Sequence, residues 1–169
     1  MNIRQEQPAD YETVYQVVKT AFAYAEHSDG NEQDLVVELR KSQTFIPELS
    51  LVAVEDSKIV GHILFTKAHV NGSEVLALAP LSVLPEYQNR GIGLSLIRRG
   101  HMAARRLGYR YSVVLGHPGY YPKAGYAPAS RYGIRAPFEV EDESFMAVCL
   151  EGNEEKLNGA IEYDKAFGI

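Results

Sequence analysis

Six consecutive residues, Gln88-Asn89-Arg90-Gly91-Ile92-Gly93, stand directly ahead of an amphipathic helical pattern. The first-turn N–H groups of a helix have no intrahelical partner, and the macrodipole adds partial positive charge there. Glycines allow an anion to approach that backbone with no Cβ in the way. A strand ending near Val83, a glycine turn and then a helix is therefore an arrangement for holding a phosphate. Two phosphate motifs fail on particular residues. A P-loop needs Gly-Lys-Ser/Thr, whereas Gly93 is followed by Leu94 and Ser95. The dinucleotide fingerprint needs a third glycine where this chain has Leu96, and its lead-in should be a parallel βαβ unit.

Other reactive residue types give weaker patterns. The five histidines and one cysteine form no close pair of the HxxxH or CxxC kind, so no metal centre is expected. Cys149, within the apolar run FMAVCL, reads as a core residue and not a nucleophile. That disfavours an acyl-enzyme against direct attack on a substrate.

The elements that must position the turn follow from periodicity. Asn2 to Glu6 reads as a short strand, and Pro8 opens a helix carrying Tyr11, Val14, Tyr15, Val18, Ala21 and Phe22 on one face. A second helix is expected from about Glu32 to Ser42, with Leu35, Val36 and Leu39 inward. The period then changes to that of strands: LSLVAVE, a turn at Asp56-Ser57-Lys58, IVGHILFTKAHV, a hairpin at Asn71-Gly72, and SEVLALAPLSVL. Pro80 cannot donate to a ladder, which predicts a bulge or local opening of the sheet there. A helix over 91–107 stops at Gly108, YSVVLG is a buried strand, HPGYYPKAGY holds a short helix or turn, and FMAVCL is a late strand. With no repeat or linker, 169 residues read as one α+β domain, 1–169, built on a mostly antiparallel sheet.

Charge is uneven. Residues 88–110 carry six arginines (90, 98, 99, 105, 106 and 110) and no acid, while the other 11 Lys and Arg face all 22 acids. A basic island on a chain of net charge -5 suggests a polyanion met at one place, or an arginine-rich solvated helix face. No nucleic-acid-binding module is present to use it. No apolar run approaches the ~20 residues of a membrane span, the start MNIRQEQPADYE lacks an apolar signal core, and the lone cysteine suits a reducing compartment. The expected location is cytoplasmic, with neither a membrane nor a nucleic-acid partner.

The stretch Val83-Leu84-Pro85-Glu86-Tyr87-Gln88-Asn89-Arg90-Gly91-Ile92-Gly93 resembles the acetyl-CoA motif of the GNAT superfamily of N-acetyltransferases: a strand ending in Val-x-Pro, then Gln/Arg-x-x-Gly-x-Gly/Ala. VGHILFT, LAPLSVLPEYQNRGIG, GYYPKAGYAPA and GAIEYDKAF are similar to the YhbS-like predicted acetyltransferases within it. The resemblance implies a mixed, mostly antiparallel sheet flanked by helices and splayed at an acetyl-CoA cleft. It implies that Leu81, Ser82 and Val83 pair with pantetheine, and that the N–H groups from Asn89 through Leu94, including Arg90, Gly91, Ile92 and Gly93, meet the diphosphate with Ser95 beside them. Gln88 and Arg90 flank the turn, and the Val83 N–H is the oxyanion donor. A downstream arginine is left to meet the adenosine phosphate.

Tyr121, four residues before Gly125, matches the tyrosine that faces the CoA sulfur in that family, and Tyr120 is its control. A tyrosine titrating near ~10 can protonate a nascent thiolate whose thiol titrates near ~8.5. Many relatives place Asn where this chain has Val114, and the YhbS-like group commonly has Asp at the position of His117. Glu26, His27, Asp29 and Glu32 fall in or beside the loop that borders the acceptor in GNAT enzymes, where they either draw in a cationic amine or cap helices. His62 and His117 complete the candidates for general base, and the residues do not choose among them. The activity implied is transfer of an acetyl group from acetyl-CoA to a primary amine on a small molecule or protein. GNAT enzymes often pair, so a homodimer is compatible with the resemblance, but the residues do not read out the oligomeric state. A catalytically silent acyl-CoA sensor or a nucleotide-binding protein are the alternatives.

Overall fold

Long apolar runs, buried on both faces and separated by tight turns, produce a meander in the first half of the chain. In the computed structural model, which describes residues 1–26 and 28–169, β1 (Asn2–Gln5) pairs antiparallel with β2 (Phe45–Glu55). The ladder continues through β3 (Lys58–Val70) and β4 (Ser73–Val83). Asn71 and Gly72, at φ 49° and 80°, form the two-residue turn that the right-handed strand twist favours. β2 begins earlier than its alternation suggests, because a register shift between Phe45 and Ser50, around Pro47, hides the period.

α1 (Tyr11–Phe22) and α2 (Glu32–Arg40) intervene between β1 and β2, and α3 (Ile92–Arg106) follows β4. α2 stops at Arg40, two residues short of the expected Ser42. α3 packs on the sheet face that carries Phe65, whose ring lies against Gly100. By strand alternation His62 points to the opposite face, under α1 and α2. Val14, Val17 and Val18 of α1 and Val36 and Leu39 of α2 cover that face.

β5 (Tyr111–Leu115) lies parallel to β4, and β8 (Phe145–Cys149) pairs antiparallel with β5. Short strands β6 (Ala127–Pro128), β7 (Ile134–Arg135) and β9 (Gly159–Glu162) complete the topology, with β9 bridging β3 and β7. Strands of two to four residues are too short to show a period, which is why sequence reading passes over them. Among the described residues the main sheet runs β1-β2-β3-β4-β5-β8-β6. This is the mostly antiparallel α+β sheet flanked by helices that the sequence predicts. No helix among the described residues is long and apolar enough to cross a membrane.

The feature that makes a site is the loss of pairing between β4 and β5. They are in register only at Leu76–Ser112 and Ala77–Val113. On the other side of β4, Phe65 pairs with Leu78 and Ile63 with Leu81, so β4 holds one more residue than β3 in that interval. The extra residue is a bulge at Ala79-Pro80, where proline has no N–H to contribute. Beyond it the two parallel strands part.

Candidate active site

A cavity of about 840 Å³ fills the parting of the strands, lined among others by Leu81, Val83, Gly91, Gly93, Gly116 and Tyr121. Leu84 donates its N–H to the Val60 carbonyl at 2.9 Å, which makes Leu84 and Val60 a hydrogen-bonded antiparallel pair. Alternation then turns the Ser82 amide toward β3 and leaves those of Leu81 and Val83 pointing into the gap. Gln88 Nε2 donates to the Val83 carbonyl at 3.0 Å and ties the turn to the end of β4. Leu81 and Val83 therefore offer a strand edge to a bound molecule. Ser82, grouped with them from sequence, is instead buried on the far face, its Oγ without a partner among the described residues.

The turn itself is made of free amides. Gly91, at φ +81°, is the N-cap residue of α3, in a left-handed conformation that a Cβ disfavours. The first helical bond runs from Ser95 N–H to the Gly91 carbonyl at 3.0 Å. The six N–H groups from Asn89 to Leu94 have no protein acceptor among the described residues. Gln88, Asn89, Gly91, Ile92, Gly93 and Leu94 line the cavity. The side chains of Arg90 and Ser95 do not: the Arg90 guanidinium lies over the Tyr87 ring, 5.1 Å from its centroid. Six unpartnered donors at the positive end of a 15-residue helix form a cradle for an anion.

Two tyrosines face this cradle across the gap. A Cβ on Gly93 would lie 2.1 Å from the Tyr120 hydroxyl, and one on Gly116 would lie 2.3 Å from the Tyr121 ring. The absent side chains are thus the seats of the two rings. The Tyr121 ring also meets Tyr120 and Tyr126 edge-on, at 5.1 and 5.8 Å between centroids. Tyr126 is in turn fixed by Ser112 Oγ at 2.8 Å and His101 Nε2 at 3.0 Å. Burial, and to a lesser degree Tyr120, pushes the Tyr121 hydroxyl well above the ordinary tyrosine range. It stays protonated at neutral pH and makes no hydrogen bond among the described residues, so it is an available donor.

This is the architecture of a known family. The acetyltransferase (GNAT) family model matches residues 11–126, about two-thirds of the chain. The chain belongs to the GNAT acetyltransferase family. The GNAT chain is 39% identical over 140 residues to the uncharacterized N-acetyltransferase YjhQ of Escherichia coli, covering 80% of this chain and 75% of that one. A GNAT acetyltransferase of Brucella melitensis, solved in complex with acetyl-CoA, superposes with a TM-score of 0.83 at 33% identity, over 98% of this chain and 97% of that one. YhbS of Escherichia coli, solved in complex with CoA, superposes with a TM-score of 0.89 at 25% identity, over 99% and 92% of the two chains.

The remaining candidates in this GNAT chain separate cleanly. His62 is completely buried, with Ser50 Oγ 3.0 Å from its Nε2. Although the Glu6 carboxylate lies 3.8 Å away, Arg40 and Ser50 already engage it; burial first, then the Arg40 charge, lower His62 to about 3. It packs under a helix and has no access to the cavity. His117 does line the cavity, and its Nδ1 accepts the Gly119 N–H at 2.9 Å, a loop-shaping bond. Glu32 lines it too, on the α2 side, accepting from Ser28 Oγ at 2.7 Å. Glu26 is exposed outside the cavity, and His27 lies outside the described residues.

Arg105 donates to the Leu150 carbonyl and Arg110 pairs with Glu155, whereas Arg98, Arg99 and Arg106 are exposed without an ion pair among the described residues. Cys149 is half-buried, with Sγ 3.3 Å from the Asn153 carbonyl, and not the enclosed core residue its apolar run suggests. Sequence reasoning missed Gly116, whose role depends on a ring brought to it by the fold.

Proposed function

We propose that the protein moves the acetyl group of acetyl-CoA to a primary amine by direct attack, with residues 1–169 acting as one catalytic domain. The observation that carries this reading is the run of six unpartnered amides opening onto a gap whose β4 edge is also unpartnered. A diphosphate suits the amides, and an amide-bearing arm such as pantetheine suits a strand edge. The relatives solved with CoA and acetyl-CoA support the same ligand. Acetyl-CoA supplies an acetyl group activated as a thioester.

The chain's own groups then have defined tasks. The amides of residues 89–94 hold the diphosphate, and the Leu81 and Val83 edge orients the arm. The Val83 N–H faces the gap as a donor for negative charge on the acetyl oxygen. The amine nitrogen must be neutral to attack, and Glu32, which lines the cavity, can accept its proton; His117 lines it too, but its Nδ1 already accepts the Gly119 N–H, which leaves its Nε2 as a donor. Attack forms the C–N bond and a tetrahedral oxyanion, and its collapse breaks the C–S bond as the nitrogen releases one proton and the sulfur takes one up. Tyr121 donates a hydrogen bond to that sulfur. Its raised pKa suits it to donating a hydrogen bond without giving up the proton, so the proton that the sulfur takes up comes from solvent.

Titration calorimetry with acetyl-CoA, followed by CoA release across a panel of amines, tests the proposal. Micromolar binding with amine-dependent release is expected. Binding with no release from any amine would mark a silent acyl-CoA-binding protein. ATP or NAD binding in preference to CoA would overturn the ligand assignment.

A further inference from the structure

A second cavity, of about 480 Å³, adjoins the first and shares Glu32, Leu35, Leu78, Ala79 and Leu115 with it. It therefore meets the strand gap from the α2 side. One wall is aromatic: Phe138, Tyr163 and Phe167, the last two with ring centroids 5.2 Å apart. That wall is built into the fold. Asp164 accepts the Ala166 N–H at 2.8 Å and the Thr44 hydroxyl at 2.9 Å, with Ser42 bonded to the same carboxylate, so the turn bearing Phe167 is pinned just beyond α2.

A second part of the lining is acidic. Asp29, Glu32, Asp34 and Glu38 line it, and no Lys or Arg lines the cavity among the described residues. Glu32 and Asp34 accept only from hydroxyls, of Ser28 and Tyr15, while Glu38 meets Lys41 at 3.5 Å in an exposed pair. Exposed pairs of that kind are weak and screened, so the wall keeps most of its negative charge.

We infer that this groove receives the acceptor, and that the acceptor is an aliphatic diamine or polyamine; the inference rests on the acetyltransferase reading above. The attacking nitrogen must be neutral, so it cannot supply the lasting positive charge that the acidic wall complements. A second nitrogen can. Asp34 and Glu38, one helical turn apart on α2, are exposed carboxylates of that wall available to it. A three- or four-carbon chain sets that second nitrogen about 5–6 Å from the attacking one. The methylenes between them lie against the rings of the aromatic wall, which also attract cations.

Steady-state kinetics with 1,4-diaminobutane, butylamine and 2-phenylethylamine separates the occupants. The diamine is expected to exceed both monoamines in kcat/KM by at least about tenfold at low ionic strength. In the double variant Asp34→Asn, Glu38→Gln, and in wild type at high salt, that advantage falls below about threefold, because only the charge term is removed. Equal or better kcat/KM for either monoamine overturns the assignment, as does a diamine advantage that survives both changes. Calorimetry with acetyl-CoA on the same samples distinguishes the two failures. Tight acetyl-CoA binding without diamine preference sinks the acceptor alone, while no acetyl-CoA binding sinks the parent reading with it.

Discussion

The glycine turn takes its binding groups from consecutive residues, 88–94, and nearly all of them are backbone amides. The neighbouring groove is assembled from side chains at 29–38, 78–79, 113–115, 138 and 163–169. One is a local conformation that a short string of residues can encode. The other exists only once a helix, two strands and the final turn have met. The contrast explains why a diphosphate can be anticipated from a motif while an amine acceptor cannot. It also implies that the two regions should fail in different ways.

The sharpest break is expected at Gly91. Glutamate there places a Cβ at φ +81° and a negative charge beside the free amides. Acetyl-CoA affinity should fall by at least about 100-fold, near 2.7 kcal/mol, as read by calorimetry. Affinity within a few-fold of wild type would show that the turn does not hold the diphosphate. Tyr121→Phe probes a side chain that faces the same cavity. Turnover should drop by about 10- to 100-fold with acetyl-CoA affinity within about twofold. Gly116→Ala, which pushes on the Tyr121 ring, should lower kcat in the same direction by less. Unchanged kcat in Tyr121→Phe would remove that hydroxyl from the reaction.

A third measurement compares the two faces of the sheet. His62 lies on the sheet under α1 and α2, and His101 on the buried face of α3; burial first, then nearby Arg40 and Arg105, lower them to about 3 and about 4. Unfolded histidine titrates near ~6.5, so between that pH and 4 the unfolded chain binds protons that the folded chain excludes. Stability therefore falls as pH falls, by about 2 kcal/mol per histidine at pH 5 relative to pH 7.5. Urea midpoints should track this, and His101→Asn should remove roughly half the slope. A midpoint flat from pH 7.5 to 5 would contradict it. The smallest effect is expected for Gln88→Ala, which loses the tie to the Val83 carbonyl. Loss of one exposed hydrogen bond corresponds to at most about 1 kcal/mol, or up to about fivefold in acetyl-CoA affinity.

Much of the scaffold is legible in the residues because its signals are local. The Asn71-Gly72 hairpin, the bulge at Pro80 and the N-cap of α3 at Gly91 each follow from backbone chemistry at one or two positions. Ser82 shows where such reading stops. It lies between Leu81 and Val83 in sequence, yet strand alternation turns it away from the gap they line. His62 was ambiguous for a related reason, since period alone gives two faces without saying which one is covered. Glu32 stood among four plausible loop residues, and only the packing of α2 brings it to the border of both cavities.

The three rings of the aromatic wall have one more property. Every residue lining the larger cavity falls within 11–126, the part of the chain that the family model matches, whereas Phe138, Tyr163 and Phe167 all fall after it. The larger cavity thus lies wholly inside the family segment, while the proposed acceptor groove draws its acids from inside that segment and its rings from outside it. Exchanging the terminal stretch between relatives should change which carbon chain fits against the rings, while the preference for a second charge stays with Asp34 and Glu38 and thioester affinity stays as it was.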